Sequence, residues 1–299
     1  MKIIFPIVPL LGLATFGVTS AETSRDTPGE LTVDVVEETE SPSSLDANEI
    51  AQKLANPNTP LATLTLRNQW IRWGGDLPGA DGLESGVFEF QPVFPFPIDD
   101  ITTVSFRPAF SYLVDQPYYD AASGRVESRS GFSDMGFDLG YGVTTESGFL
   151  ARVGMSGSVP IGAEHLSSET WALGPEFLVG YKNEHGLFGF FPSHLWDISG
   201  PATINRTTLQ PLVVFLPGKA WAFGSSPIIS YNWEAEEWTL PLQLFASKTV
   251  KFGEVPVRLG LEMNYFLDQP DGLGEEWMIA FNFTPVFPNI FAQWFSGSD

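Results

Sequence analysis

The stretch VFEFQPVFPFPIDD, Val87–Asp100, decides how the rest of the chain is read. Val87 to Gln91 alternate apolar and polar side chains, the period-two signature of a strand wet on one face only. Pro92, Pro95 and Pro97 follow, and proline has no N–H to give to a sheet ladder. A strand this apolar that also tolerates proline needs an unusual setting, and the remaining segments supply it.

From Thr63 onward the chain divides into twelve alternating segments: 63–73, 86–97, 101–113, 131–144, 148–159, 169–181, 186–196, 206–216, 220–231, 237–248, 254–267 and 275–288. Most run about 11–14 residues, longer than the ordinary strand of a soluble sheet and long enough for a tilted bilayer crossing. The connections alternate in size. Short ones (98–100, 145–148, 183–186, 217–219, 251–254) face longer ones (74–82, 115–131, 161–169, 197–206, 232–237, 268–276). Short turns at one end and long loops at the other, with an even strand number, are the layout of an outer-membrane barrel. A soluble β-sandwich is the alternative, because alternation alone does not name the solvent on the outer face.

Composition separates the two. The chain has 299 residues, of which 43% are hydrophobic, 14% aromatic and only 17% charged, with a formal charge of −21 and no cysteine. Phe, Leu, Val and Ile dominate one face of nearly every segment. Trp70, Trp73, Trp171, Tyr181, Trp196, Trp221, Tyr231, Trp238, Tyr265 and Trp277 lie near segment ends, where two interfacial aromatic girdles belong. The expected fold is therefore all-β, a twelve-stranded antiparallel transmembrane β-barrel in the bacterial outer membrane, spanning 61–295. Net acidity argues against nucleic-acid binding.

Two segments precede it. MKIIFPIVPLLGLATFGVTSAET reads as a cleaved secretory signal peptide, 1–21. Residues 22–60 form an acidic periplasmic leader, with nine acidic residues and one basic from Glu22 to Ile50. SSLDANEIAQKLANP within it suits a short helix with Ser44 as N-cap and Pro57 as its stop. Either the leader is a solvated linker or that helix seats at the barrel mouth.

Parity assigns the barrel faces. Arg67, Glu89, Arg107, Asp134, Asp138, Arg152, Glu176, Arg258 and Glu262 share the inward parity and are the candidate lumen or solute-path residues. Inward glycines at 136, 140, 142, 154, 174, 180 and 260 suggest open volume. The charges either line that path or pair into a plug, with Glu89 and Arg107 as the expected pair across the 98–100 turn. Pro92, Pro108, Pro175, Pro192, Pro211, Pro227 and Pro285 share the outward parity, some ~20 Å above the short turns, forming a lipid-facing belt.

The runs ANPNTPLATLTLRNQW, DLPGAD, FQPVFPFP, FRPAF, DMGFDLGYG, LGPEFLVG, SHLWD and DQPDGLGEEWMIAFNFTPVFP resemble the bacterial phenol-degradation meta-pathway outer-membrane family over roughly residues 55–288. The resemblance implies a non-enzymatic barrel for uptake of small hydrophobic or aromatic molecules. Its partners would be membrane lipid, a small-molecule solute and the outer-membrane assembly machinery. The assembly signal would involve Phe287, Phe291 or Phe295, since the chain does not end on phenylalanine. A closed structural barrel and a lipid-acting enzyme using His194 are the alternatives. His165, His185 and His194 are the three histidines, and Ser193 and His194 point to opposite faces. No His/Cys cluster suggests a metal and no phosphate loop suggests a nucleotide, so no cofactor is expected.

Overall fold

The computed structural model describes residues 42–289; the signal peptide, most of the acidic leader, Phe291 and Phe295 lie outside them. One helix, α1 (Ala47–Ala55), comes first. The strands that follow are β1 (Ala62–Gly74), β2 (Glu84–Pro97), β3 (Thr102–Asp120), β4 (Arg125–Phe132), β5 (Met135–Thr144), β6 (Phe149–Val159) and β7 (Trp171–Asn183). They continue as β8 (Gly186–Ser199), β9 (Asn205–Gly218), β10 (Trp221–Ser225), β11 (Ile229–Asn232), β12 (Glu237–Phe252), β13 (Val255–Asp268) and β14 (Gly274–Phe287).

Neighbours pair antiparallel around a closed ring, with β1 bonded to both β2 and β14. The fourteen segments make twelve staves. β10 and β11 are one stave, because Ser225–Val213 and Ile229–Leu209 keep a single register against β9. β4 pairs only with the distal half of β3 and carries that hairpin beyond the ring. Where a loop was expected over 115–131, strand pairing continues. Both faces of this hairpin are wet, so Arg125, Glu127 and Arg129 alternate with Val126, Ser128 and Ser130 and no apolar face marks the strand.

Closure leaves the ring itself without a sheet edge, the condition for crossing hydrocarbon, and β4 lies outside it. The outward side chains form an apolar belt: Phe88, Phe177, Val213, Leu244 and Leu261 are 50–65% exposed. Trp70 packs edge-on against Trp277, and Tyr231 against Trp233, at one rim. Trp221 and Tyr181 lie toward the other. Trp73 departs from the expected girdle. It points inward, donates its indole N–H to Ser85 Oγ at 2.8 Å, and packs with Ile71, Val87, Met278 and Ala280.

All seven prolines share the outward parity of their strands, although neighbouring side chains bury Pro108 and Pro285, and all seven fall at or beside gaps in the ladder. Pairing of Pro92 with Leu64 and of Pro108 with Phe137 is regular, but residues 91–93 have no ladder partners on β3. The flanking pairs Phe90–Phe110 and Phe94–Phe106 set Pro92 opposite Pro108. Pro211 and Pro227 oppose each other in the same way between β9 and the β10/β11 stave. Pro175 and Pro192 border a gap between β7 and β8, and Pro285 one between β14 and β1. Each missing donor therefore faces a seam that is already open, and the remaining ladder stays intact. Such gaps also let a strongly curved sheet bend.

The long loops are fastened at the other end. Asp134 was expected with the lumen set. It lies outside the strands, between β4 and β5, and accepts hydrogen bonds from Gly162 N (3.1 Å), Ser168 N (2.8 Å) and Ser168 Oγ (2.7 Å). Partial burial pushes its pKa up, but the hydrogen bonds from Ser167, Ser168 and Gly162 together outweigh this and hold it below the ordinary carboxylate range. A depressed folded pKa contributes stability above the unfolded pKa and loses it as pH falls through the folded one. Protection of the backbone amides over 160–170, taken relative to their intrinsic exchange rates at each pH, is therefore expected to fall on acidification through and below the normal carboxylate range. Asp134→Asn should show fast exchange already at neutral pH; equal protection in both proteins would refute the clasp.

Candidate functional site: the barrel lumen

α1 forms because Asp46, not Ser44, caps it: its carboxylate accepts from Asn48 N and Glu49 N while Glu49 reaches back to Asp46 N, a complete capping box. Ile50 is fully buried and Leu45 nearly so, packed with Leu61 and Val286. The helix is a seated element rather than a solvated linker. It lies across the mouth bounded by the short turns. Asn48 Oδ1 accepts from Ala220 N, Gln52 reaches Glu184 O, and Lys251 Nζ donates to Ser43 O at 2.9 Å.

Two inward arginines hold this end. Arg258 Nη1 donates to Leu54 O at 3.2 Å, taking one of the carbonyls left unbonded at a helix C-terminus. Arg107 Nη2 donates to Pro57 O at 2.9 Å. Asn58 Nδ2 then donates to Val143 O and Ala151 O at 3.0 and 3.1 Å, pinning the segment to β5 and β6.

The expected Glu89–Arg107 pair does not form. Glu89 stands opposite Ser111, four residues beyond Arg107 on β3, so the two differ in height. The inward charges instead gather on two walls. On the β3–β5–β6–β7 wall, Arg152 pairs with Asp138, with Glu176 at 3.1 Å and with Ser105 Oγ at 2.6 Å, and Arg107 joins Asp138 at 3.4 Å. Arg152 has no exposed side chain. On the β1–β2–β13 wall, Arg67 pairs with Glu262 at 2.7 Å, with Glu89 facing Arg67 across the ladder.

On the first wall only Gly136, at the long-loop end of β5, faces open space; Gly140, Gly142 and Gly154 do not. A Cβ at Gly140 would lie 2.3 Å from the Arg152 guanidinium, and one at Gly142 2.1 Å from Asn58 Oδ1. The absent side chains make room for the ion cluster and for the segment after the helix. At Gly174 and Gly180 the nearest atoms are backbone oxygens of β8, so those glycines serve close strand approach.

The open space lies against the other half of the ring, as a cavity of ≈ 730 Å³. Its floor is Ala51, Leu54 and Ala55 of α1. Its sides mix apolar Leu212, Val214, Phe245, Phe266 and Met278 with Arg67, Glu89, Arg258 and Glu262. Two further charges line it. Arg206, the first residue of the segment expected over 206–216, has the inward parity of β9 but was not among the candidate charges. Glu275 could not be placed by parity. The register of β1 against β14 shifts between Arg72 and Trp73, and the shift turns Glu275 inward opposite Trp73.

His194 lies on the outward parity. Its Nδ1 is 2.8 Å from Thr207 Oγ1, which also accepts from Trp233 Nε1, and its ring packs on Trp196. Ser193 faces inward opposite Thr208, so Ser193 and His194 form no dyad.

A closed ring of twelve staves, apolar outside and charged within, defines a transmembrane β-barrel of the outer-membrane type. No protein-family model matches the chain, and no curated protein matches it in sequence. Among solved structures, the COG4313 outer membrane channel from Pseudomonas putida F1 is similar at 11% identity over 76% of this chain and 96% of that one, with a TM-score of 0.61. The CymD monoaromatic hydrocarbon channel is 10% identical over 83% of this chain and 97% of its own, with a TM-score of 0.42. The outer membrane phospholipase A from Escherichia coli is 12% identical over 83% and 100%, with a TM-score of 0.41. At these identities the likeness is one of fold.

Proposed function

We propose that this protein is an outer-membrane channel for passive passage of small hydrophobic or aromatic molecules, in the phenol-degradation meta-pathway outer-membrane family. The observation that carries the reading is the ≈ 730 Å³ lumen cavity, of a size suited to a small ligand and walled on one side by Leu212, Val214, Phe245 and Met278. The apolar exterior belt supports insertion in a bilayer, and the quoted motifs support the family. A solute would enter from the long-loop side and meet the α1 floor. The inward charges Arg67, Glu89, Arg107, Asp138, Arg152, Glu176, Arg258 and Glu262 would then hold the wall and floor, with Arg67, Glu89, Arg258 and Glu262 also bordering the path.

The test is uptake of a radiolabelled monocyclic aromatic by Gram-negative cells carrying the protein in their outer membrane. Val214→Trp, which fills the cavity from a non-charged wall position, should return uptake to that of cells lacking the protein, while heat-modifiable migration is kept. Uptake by the parent protein no faster than by those cells would refute the channel reading. A closed structural barrel is the second reading, favoured by the helix across the mouth. It expects no uptake by the parent protein and uptake once α1 is removed.

A further inference from the structure

A second concavity lies on the outside of the barrel, where lipid is the solvent. Val213, Phe215, Phe223, Leu244, Leu261 and Met263, from β9, β10, β12 and β13, border a groove of ≈ 590 Å³. Its cause is local. In a face otherwise filled by Phe, Leu and Met, the outward positions Ser225 and Ala246 are short, and Phe223 stands opposite Ala246. The groove lies beside the ladder gap at residues 226–228.

Its short-turn end is cationic. Lys248 is two residues from Ala246 on the same outward parity and stands opposite Trp221. Its Nζ sits 4.9 Å over the Trp221 ring and donates to Lys219 O. All five lysines among the described residues, Lys53, Lys182, Lys219, Lys248 and Lys251, belong to α1 or to the strand ends and turns at this mouth. In a chain of formal charge −21 that placement is a strong asymmetry. From Lys248 to Leu242 the strand climbs six residues, about 15 Å along the normal at a 40° tilt, half the thickness of a bilayer's hydrocarbon core. Groove and lysine thus fit one leaflet, the one at the short-turn side.

We propose that this groove binds one anionic glycerophospholipid of the periplasmic leaflet, with an acyl chain along Ser225 and Ala246 and the phosphate at Lys248 and Lys219. Trp221 fixes the depth, as an indole at the headgroup boundary, and the lysines supply charge complementarity. The site is independent of what crosses the lumen and rests on the outer-membrane reading, which fractionation tests separately.

Native mass spectrometry of the purified full chain titrated with phosphatidylglycerol tests it. One lipid should bind ahead of the rest. Removing either lysine (Lys248→Ala, Lys219→Ala) should weaken that step about fivefold each, the effect of one cation near a lipid surface. Ser225→Trp should abolish it with both lysines present, and Val153→Trp, on the outer face of β6, should leave it unchanged. Phosphatidylcholine should lack the preferred step. Equal binding in all variants, binding indifferent to headgroup, or a two-chain species that Ser225→Trp dissolves would each overturn the proposal, the last by showing that a second copy covers the groove.

Discussion

Removing residues 42–58 is expected to raise single-channel conductance in planar bilayers severalfold over the parent protein. The reason is geometric. α1 spans from the β9–β13 side, and the Asn56–Leu61 segment continues to β5 and β6, so the pair crosses the short-turn mouth. The cavity above ends on Ala51, Leu54 and Ala55. With the floor gone, the cavity opens through the short-turn mouth. Deletion also uncovers Val286, so a gentler variant separates opening from misfolding. Arg258→Leu with Asn58→Ala removes one charged fastening, contributing about 1.5–3 kcal/mol, and three neutral ones from the Asn58 amide. That variant should flicker between the parent and deletion conductances. A folded, heat-modifiable deletion protein with the parent's conductance would show that α1 does not limit passage.

Arg152→Met is expected to destabilise the barrel by about 3–5 kcal/mol, the cost of stripping one partner from a buried ion cluster. Arg152 is fully buried, Glu176 is 3% exposed and Asp138 18%. Without the guanidinium, two carboxylates and Ser105 remain on an apolar-backed wall, and Arg107 reaches only Asp138. Reversible urea unfolding in lipid vesicles reads the change. Arg152→Met combined with Glu176→Gln should recover most of the loss, because Asp138 keeps Arg107 as its partner and no uncompensated charge is then left. If the single variant unfolds at the parent's urea midpoint, the cluster is not structural, and its charges are free to serve the solute path.

The two experiments separate the roles that the inward charges divide between them. Arg152, Asp138 and Glu176 hold a wall, whereas Arg107 and Arg258 also hold the floor. Arg67 and Glu262 pair beside the open cavity, so on the proposed channel reading their replacement should alter passage rather than the stability of the barrel.

The primary structure by itself determined the ring and its orientation. A strand has a period of two, and with lipid on one side and a lumen on the other every residue's face follows from parity. That is why the twelve staves, the apolar belt, the outward parity of the prolines and the inward parity of eight of the nine charged residues were legible. Asp134 was not, because parity was carried past the end of β5 into a loop. The β4 hairpin was hidden for the converse reason: with water on both faces, neither side of the strand is apolar enough to mark it.

Which charges meet was decided only by the closed tertiary structure. Arg67 and Glu262 lie 195 residues apart and touch because β14 joins β1 to β13. Glu89 and Arg107 are near in sequence and miss, since the stagger of their hairpin separates them by four residues. One register shift beside Arg72 was enough to bring Glu275 inside. The floor has the same origin. The α1 sequence specifies a capped amphipathic helix, but a helix of nine residues is marginal alone. Its place across the mouth comes from carbonyls and guanidinium groups that strands far along the chain present to it.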